Sequence, residues 1–252
     1  MQIAAQLYTV RDFLKTPEDI RKTLKKIKEI GYDSVQLSAL GPIDPMLLNE
    51  YIGENSLSVC GTHTSFDRII NDTQAVIDEH KLWKCNYIGL GAMGTDFRKN
   101  KDTYDEFLKV IRPAYEKIYD AGLQFVYHNH RFEFEKIDGE ANGMEYLAKH
   151  TEPEKFGFLV DMFWVQAGGG MPVEFLETYK NRIKFVHFKD MSIKNDAIIM
   201  AEIGCGNMSY QPIYNKCLEI GVEFAAVEQD DCNGRDPFES LEISLKNINL
   251  MK

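Results

Sequence analysis

The chain has 252 residues, within the range of one α/β barrel and long enough to bury a large core. Hydrophobic residues make up 44% and charged residues 27%, the balance of an ordinary soluble globular protein. A net charge of −10 argues against nucleic acid as the main partner. No segment has the apolar length of a membrane span, and residues 1–6 lack the basic-then-apolar pattern of a signal peptide. Five cysteines without a CxxC spacing fit free thiols in a reducing cytosol, so a cytoplasmic location is expected.

The predicted elements alternate between strand and helix. Residues 2–9 predict a strand. Thr16 then caps a helix with Pro17 at its first position, and Ile20, Leu24, Ile27 and Ile30 recur at helical spacing until Gly31 stops it. A strand over 32–40 leads to a short helix over 45–54, then a strand over 57–66 that carries His63. Residues 71–84 predict a helix and 87–93 a fourth strand. The helix over 101–121 contains Pro113, which predicts a kink or a split. A fifth strand over 123–130, a helix over 142–149 and a sixth strand over 156–161 follow. Gly168-Gly169-Gly170 predicts a flexible loop before a helix opening over 172–179. The seventh strand covers 183–190, and a long connection over 191–207 precedes a helix at 212–220. The eighth strand, 223–228, and a last helix over 237–250 end the series. His80 and His150 fall in predicted helices among polar neighbours, which places them on the surface.

Eight such units without a low-complexity linker predict one (β/α)8 TIM barrel over 1–252. A doubly wound sheet would need a glycine-rich phosphate turn after its first strand, and Thr9-Val10-Arg11-Asp12 has none.

A barrel places its active site where strands end. The fifth strand runs Phe125-Val126-Tyr127-His128-Asn129-His130 and continues to Glu133. Alternation along a strand points His128 and His130 to one face, with Tyr127 and Asn129 on the other. Asp161, His187 and Glu228 each follow an apolar half-strand at its carboxyl end, and burying any one unpaired would cost several kcal/mol. A divalent cation shared by all of them accounts for the set more simply than four separate satisfied strand ends. The mixed nitrogen and oxygen donors suit manganese, zinc, cobalt or iron better than calcium. The other strand ends offer Gln6, Tyr8, Gln36 and His63. Lys189 shares the His187 face and could polarise a substrate oxygen or form a salt bridge to Asp190 or Asp161. Trp164 could stack on a sugar face or pack in the core.

The chain resembles the sugar phosphate isomerase/epimerase superfamily, the xylose-isomerase-like barrels, over nearly its whole length. The likeness is carried by Gln6-Leu7-Tyr8-Thr9-Val10-Arg11-Asp12, His128-Asn129-His130-Arg131-Phe132-Glu133-Phe134, Val160-Asp161-Met162-Phe163-Trp164, Val186-His187-Phe188-Lys189-Asp190, Glu202-Ile203-Gly204-Cys205-Gly206 and Val227-Glu228-Gln229-Asp230. The resemblance implies Asp161, His187 and Glu228 as ligands of one divalent metal ion, magnesium included. It implies a strand-five glutamate as the fourth, often in a Glu-Asn-His stretch, where this chain has His128. Either His128 binds the metal, or Glu133 reaches back from the following loop. His130 then matches the histidine that faces the substrate, and Glu202 lies in a loop that touches ligand.

The implied activity is proton abstraction next to a carbonyl of a sugar or polyol, leading to isomerisation or epimerisation through an enediolate. Glu228 is one candidate base and His130 or Glu133 the other. Gln6, Tyr8, His63, Trp164, Lys189 and Glu202 are candidate substrate contacts. A keto-sugar lyase, dehydratase or 3-keto-glycoside-cleaving enzyme is the alternative on the same barrel. An endonuclease-type phosphodiesterase fits poorly with six histidines and the negative charge, and a non-catalytic sugar-binding module would bind no metal. No membrane partner is expected, and the sequence admits a homo-oligomer.

Overall fold

The computed structural model describes residues 1–139 and 141–252. Eight parallel strands close a barrel: β1 (Gln2–Gln6), β2 (Ser34–Leu37), β3 (Ser58–Thr64), β4 (Tyr87–Leu90), β5 (Gln124–His128), β6 (Phe156–Asp161), β7 (Ile183–Phe188) and β10 (Phe224–Val227). β8 (Asp190–Lys194) and β9 (Ala197–Ala201) form a separate antiparallel hairpin after β7. The helices are α1 (Pro17–Ile30), α2 (Pro45–Glu54), α3 (Phe66–Asn71), α4 (Thr73–Leu82), α5 (Lys101–Asp120), α6 (Gly143–Lys149), α7 (Met162–Ala167), α8 (Pro172–Thr178), α9 (Tyr210–Glu219) and α10 (Pro237–Asn249). Among the described residues, no helix is long and apolar enough to cross a membrane.

Local chemistry sets these elements. The Thr16 side chain accepts from Asp19 N, Asp19 returns the bond to the cap, and Pro17 starts α1. Ile20, Leu24 and Ile27 bury its inner stripe, and Gly31 ends it at φ +113°. Burial of side chains this size stabilises by about 1.5–3 kcal/mol each. The main core lies between barrel and helices. A smaller one fills the barrel lumen with Ala4, Cys60, Tyr87, Val126, Leu159, Phe185 and Ala226.

Several boundaries differ from the sequence expectation. The first strand stops at Gln6, because the chain turns into a 3-10 helix over Leu7–Phe13 that the Gln6 side chain caps. The expected helix over 71–84 is α4, and an unanticipated short α3 precedes it, separated by a break at Asp72. Pro113 neither splits nor ends α5. The chain between Gly168 and Gly170 is a tight turn rather than a free loop: a Cβ on Gly168 would lie 2.5 Å from the Phe134 ring. His80 is buried, with Nε2 2.8 Å from Thr62 Oγ1 and Nδ1 2.7 Å from Val76 O. His150 is half-buried and stacks on Tyr146 at 4.0 Å between centroids.

Candidate functional site

Four strands build the centre by the same two-residue step. Val126, Leu159, Phe185 and Ala226 plug the lumen. Two positions on, the same faces carry His128, Asp161, His187 and Glu228. Strand register sets Asp161 beside His187, and His187 beside Ala226. One ligand atom from each of the four residues lies within 4.8 Å of the other three. His187 Nδ1 is 3.0 Å from Glu228 Oε2 and 3.8 Å from Asp161 Oδ2, and His128 Nε2 is 3.5 Å from Asp161 Oδ2. All four of these atoms are buried without a hydrogen-bond partner.

The far side of each group is occupied. His128 Nδ1 donates to the Gly91 carbonyl at 2.9 Å, and His187 Nε2 donates to Gln36 Oε1 at 2.6 Å. Asp161 Oδ1 accepts from Trp164 N at 3.2 Å, while Asp161 N donates to Asn129 Oδ1 at 2.9 Å. Outer partners of this kind fix ring orientation and leave a lone pair pointing inward, as a metal ligand requires.

Lys189 enters the same centre, fully buried. Its ammonium donates to Asp230 Oδ2 at 2.6 Å. It also approaches Glu228 Oε2 at 2.8 Å and Asp161 Oδ2 at 3.1 Å, without hydrogen-bond geometry to either. Three carboxylates against one ammonium leave two negative charges uncompensated. Burial alone would raise the carboxyl of Asp161 and that of Glu228. Lys189 and the neighbouring histidines overcome it, so both are held well below the usual carboxylate range. Burial would lower His187, yet Glu228 and Asp161 raise it above its ordinary value. An imidazole drawn toward protonation marks a site short of positive charge. The orphaned donor set and that deficit both fit one divalent cation.

The other expected residues are distributed unevenly. A cavity of about 240 Å³ at the barrel mouth is lined by Tyr8, His63, His128, His130, Glu228 and Asp230 among others. His130 sits over His128 at 4.7 Å between centroids, with Phe132 at 5.8 Å and Trp164 at 5.6 Å. Burial and the neighbouring His128 lower His130 to about 3, so the ring is neutral near pH 7. Trp164 also lies under the Lys189 ammonium at 5.4 Å. Gln6 does not reach the mouth as a free amide: it binds Tyr8 N at 3.0 Å and His63 Nδ1 at 3.3 Å.

Two expected site residues face elsewhere. Glu133 is not brought to the centre. The turn after β5 carries it to the outer face of the strand, where Tyr127 Oη donates to Oε1 at 2.6 Å and His130 N to Oε2 at 2.8 Å. Glu202 turns toward α10, where Ser240 Oγ donates to it at 2.8 Å and Arg235 pairs with it at 3.0 Å. Asp230 and Asn129 had no assigned role in the sequence, and Gln36, offered there as a strand end, proves to be the partner of His187. Asp230 was visible as the second residue after Glu228, the same spacing that separates Lys189 from His187.

Residues 24–242 match the family model described as the xylose isomerase-like TIM barrel. The chain belongs to that family. Among curated proteins this barrel is similar to an inosose dehydratase of Lacticaseibacillus casei, 26% identical over 158 residues that cover 55% of this chain and 51% of the relative. The chain therefore spans about half the length of that relative. A second inosose dehydratase, from Geobacillus kaustophilus (strain HTA426), is 21% identical over 253 residues, covering 83% of this chain and 80% of its own. The crystal structure of a sugar phosphate isomerase/epimerase from Parabacteroides distasonis ATCC 8503 superposes with a TM-score of 0.81 at 23% identity, over 98% of this chain and 93% of that one. At that identity the likeness is one of fold.

Proposed function

We propose that this chain is a divalent-metal-dependent enzyme that removes a proton from the carbon next to a carbonyl of a sugar or polyol, with isomerisation or epimerisation as the outcome. The observation that carries this reading is the convergence of four buried, unpartnered atoms from His128, Asp161, His187 and Glu228. A bound manganese, zinc, cobalt, iron or magnesium ion would supply a Lewis acid for the charge developing on the carbonyl oxygen. Glu228 is ionised and open to the mouth cavity, so it is the carboxylate that takes the proton. Lys189 holds that carboxylate at 2.8 Å and offsets its charge. Neutral His130 and Tyr8 present polar atoms to the substrate hydroxyls, and Trp164 closes one side. Glu133 holds the loop that carries His130 in place. Five unpaired cysteines suit a reducing compartment such as the cytosol.

A second reading, elimination of water or of a glycosidic group from a keto-sugar, is favoured by one observation. His128 stands where the resemblance implies a glutamate, so the centre has one carboxylate fewer to act as a second base. The names of the curated relatives point the same way.

The test is to incubate manganese-loaded protein in D2O with free ketoses, an inosose and 3-keto-glucosides. Deuterium beside the carbonyl of a rearranged product supports the first reading. An unsaturated ketone or a released aglycone supports the second. Absence of exchange into every one of these compounds contradicts both.

A further inference from the structure

The centre contains a third histidine at ligand distance. One nitrogen each from His63, His128 and His187 also lie within 4.8 Å of one another. The His63 ring is 5.0 Å from that of His128 and 5.4 Å from that of His187. Distance alone makes His63 as eligible a metal ligand as the other two.

The partner of the opposite ring nitrogen separates them. His128 Nδ1 and His187 Nε2 both meet oxygens, the Gly91 carbonyl and Gln36 Oε1. Those oxygens take the ring hydrogen and leave a lone pair facing the centre. His63 Nδ1 instead meets Gln6 Nε2 at 3.3 Å. The orientation of the Gln6 amide is fixed from its other end. Tyr8 N–H, which can only donate, lies 3.0 Å from Gln6 Oε1 and caps the 3-10 helix that follows β1. The NH2 group therefore faces His63, and Nδ1 must accept from it. A neutral imidazole with an accepting Nδ1 carries its hydrogen on Nε2. His63 Nε2 is buried and has no partner, and the ring lines the mouth beside Tyr8, His130 and Glu228.

We infer that Gln6 holds His63 as the Nε2–H tautomer, which bars it from the metal and makes it a hydrogen-bond donor to a carbonyl or hydroxyl oxygen of the substrate. The inference rests on the cation site proposed above. Gln6 is then a positioning residue that acts through His63, and His63 is the group that touches substrate.

Nitrogen-15 spectra of histidine-labelled protein test the tautomer, with His63 assigned by its loss in His63→Gln. In metal-free protein the Nε2 of His63 should carry hydrogen and Nδ1 should not. Addition of zinc should move the His128 and His187 signals and leave the His63 Nε2–H signal in place. A hydrogen on Nδ1, or loss of the Nε2–H signal on adding zinc, overturns the inference. Gln6→Glu keeps an acceptor for Tyr8 N–H but now accepts from His63 Nδ1, so the Nε2–H signal should vanish. Retention of that signal in a folded Gln6→Glu protein, with Nδ1 still free of hydrogen, also overturns it, and if that variant fails to fold the zinc-free wild-type spectrum decides alone. Zinc that moves neither His128 nor His187 contradicts the cation site instead, while the tautomer is still read from the zinc-free spectrum. With the substrate found by deuterium exchange, His63→Leu should raise KM and His63→Gln, which keeps a donor, should restore it. Equal KM values in both variants and the wild type refute the substrate contact.

Discussion

Glu228 Oε2 lies 3.0 Å from His187 Nδ1, and neither atom has a hydrogen-bond partner. Two buried polar atoms so close to each other and to Asp161 Oδ2 are costly unless something positive lies between them. Asp161→Asn keeps the shape of the centre and removes one of its charges. Metal content of the purified protein, read by mass spectrometry, should fall sharply in that variant. Unchanged occupancy would remove Asp161 from the ligand set.

His128 and Glu133 were alternative fourth ligands, and the two side chains have different surroundings. Nε2 of His128 faces the centre, while both oxygens of Glu133 are engaged behind the strand. His128→Ala should weaken metal binding beyond the roughly 10–100-fold loss of an outer partner, and Glu133→Gln should stay below that range. Titration with zinc against a competing chelator reads both. A larger loss from Glu133→Gln would reverse the assignment.

Lys189 is the cation already present among the carboxylates. Lys189→Met strands those charges, and breaking a buried pair this way costs about 3–5 kcal/mol. The melting temperature of metal-free protein should drop. Manganese should raise the melting temperature of the variant by more than that of the wild type, because it replaces part of the lost charge. An equal rise in both would show that Lys189 does not share the charge balance of the centre.

Glu133 supplies a pH dependence of known sign. Burial pushes its carboxyl from the ordinary 4.5 up to about 8, against the opposing pull of Tyr127 and His130 N–H. Between those values the folded protein holds a proton that the unfolded chain has released, so this group's contribution to stability is fully present below about 4.5 and is lost as pH rises toward 8. Asp161 and Glu228, held low, work in the opposite direction. The difference between wild type and Glu133→Gln isolates the term: wild-type stability should decline relative to the variant from pH 5 to 8. A difference independent of pH would mean that Glu133 is ionised throughout.

The barrel was legible because eight units of an apolar strand run followed by a helical pattern repeat in chain order. The candidate ligands Asp161, His187, Glu228 and His128 were legible because each follows an apolar half-strand at its carboxyl end. The hairpin after β7 was missed although its signal is present. Asn195 and Asp196 both adopt positive φ, at 51° and 63°, as a two-residue turn of this kind needs. The base of the hairpin is tied by Asp190, whose carboxylate accepts from Met191 N, Gly204 N, Gly206 N and Met208 N. Gly206 is required there, since a Cβ would lie 2.4 Å from Asp190 Oδ1. His80 was placed on the surface from its neighbours, whereas its spacing from Val76 puts it on the buried face. The direction of Glu133 was not legible, because the 3-10 turn over Phe132–Phe134 reverses it in three residues.

The central claim is a divalent cation held by His128, Asp161, His187 and Glu228. Anomalous diffraction from crystals grown with zinc tests it most directly. The account predicts one strong peak among those four side chains, with ligand atoms at about 2.0–2.2 Å. No peak there, or a peak held by Glu133 or by His63 Nε2, would contradict it.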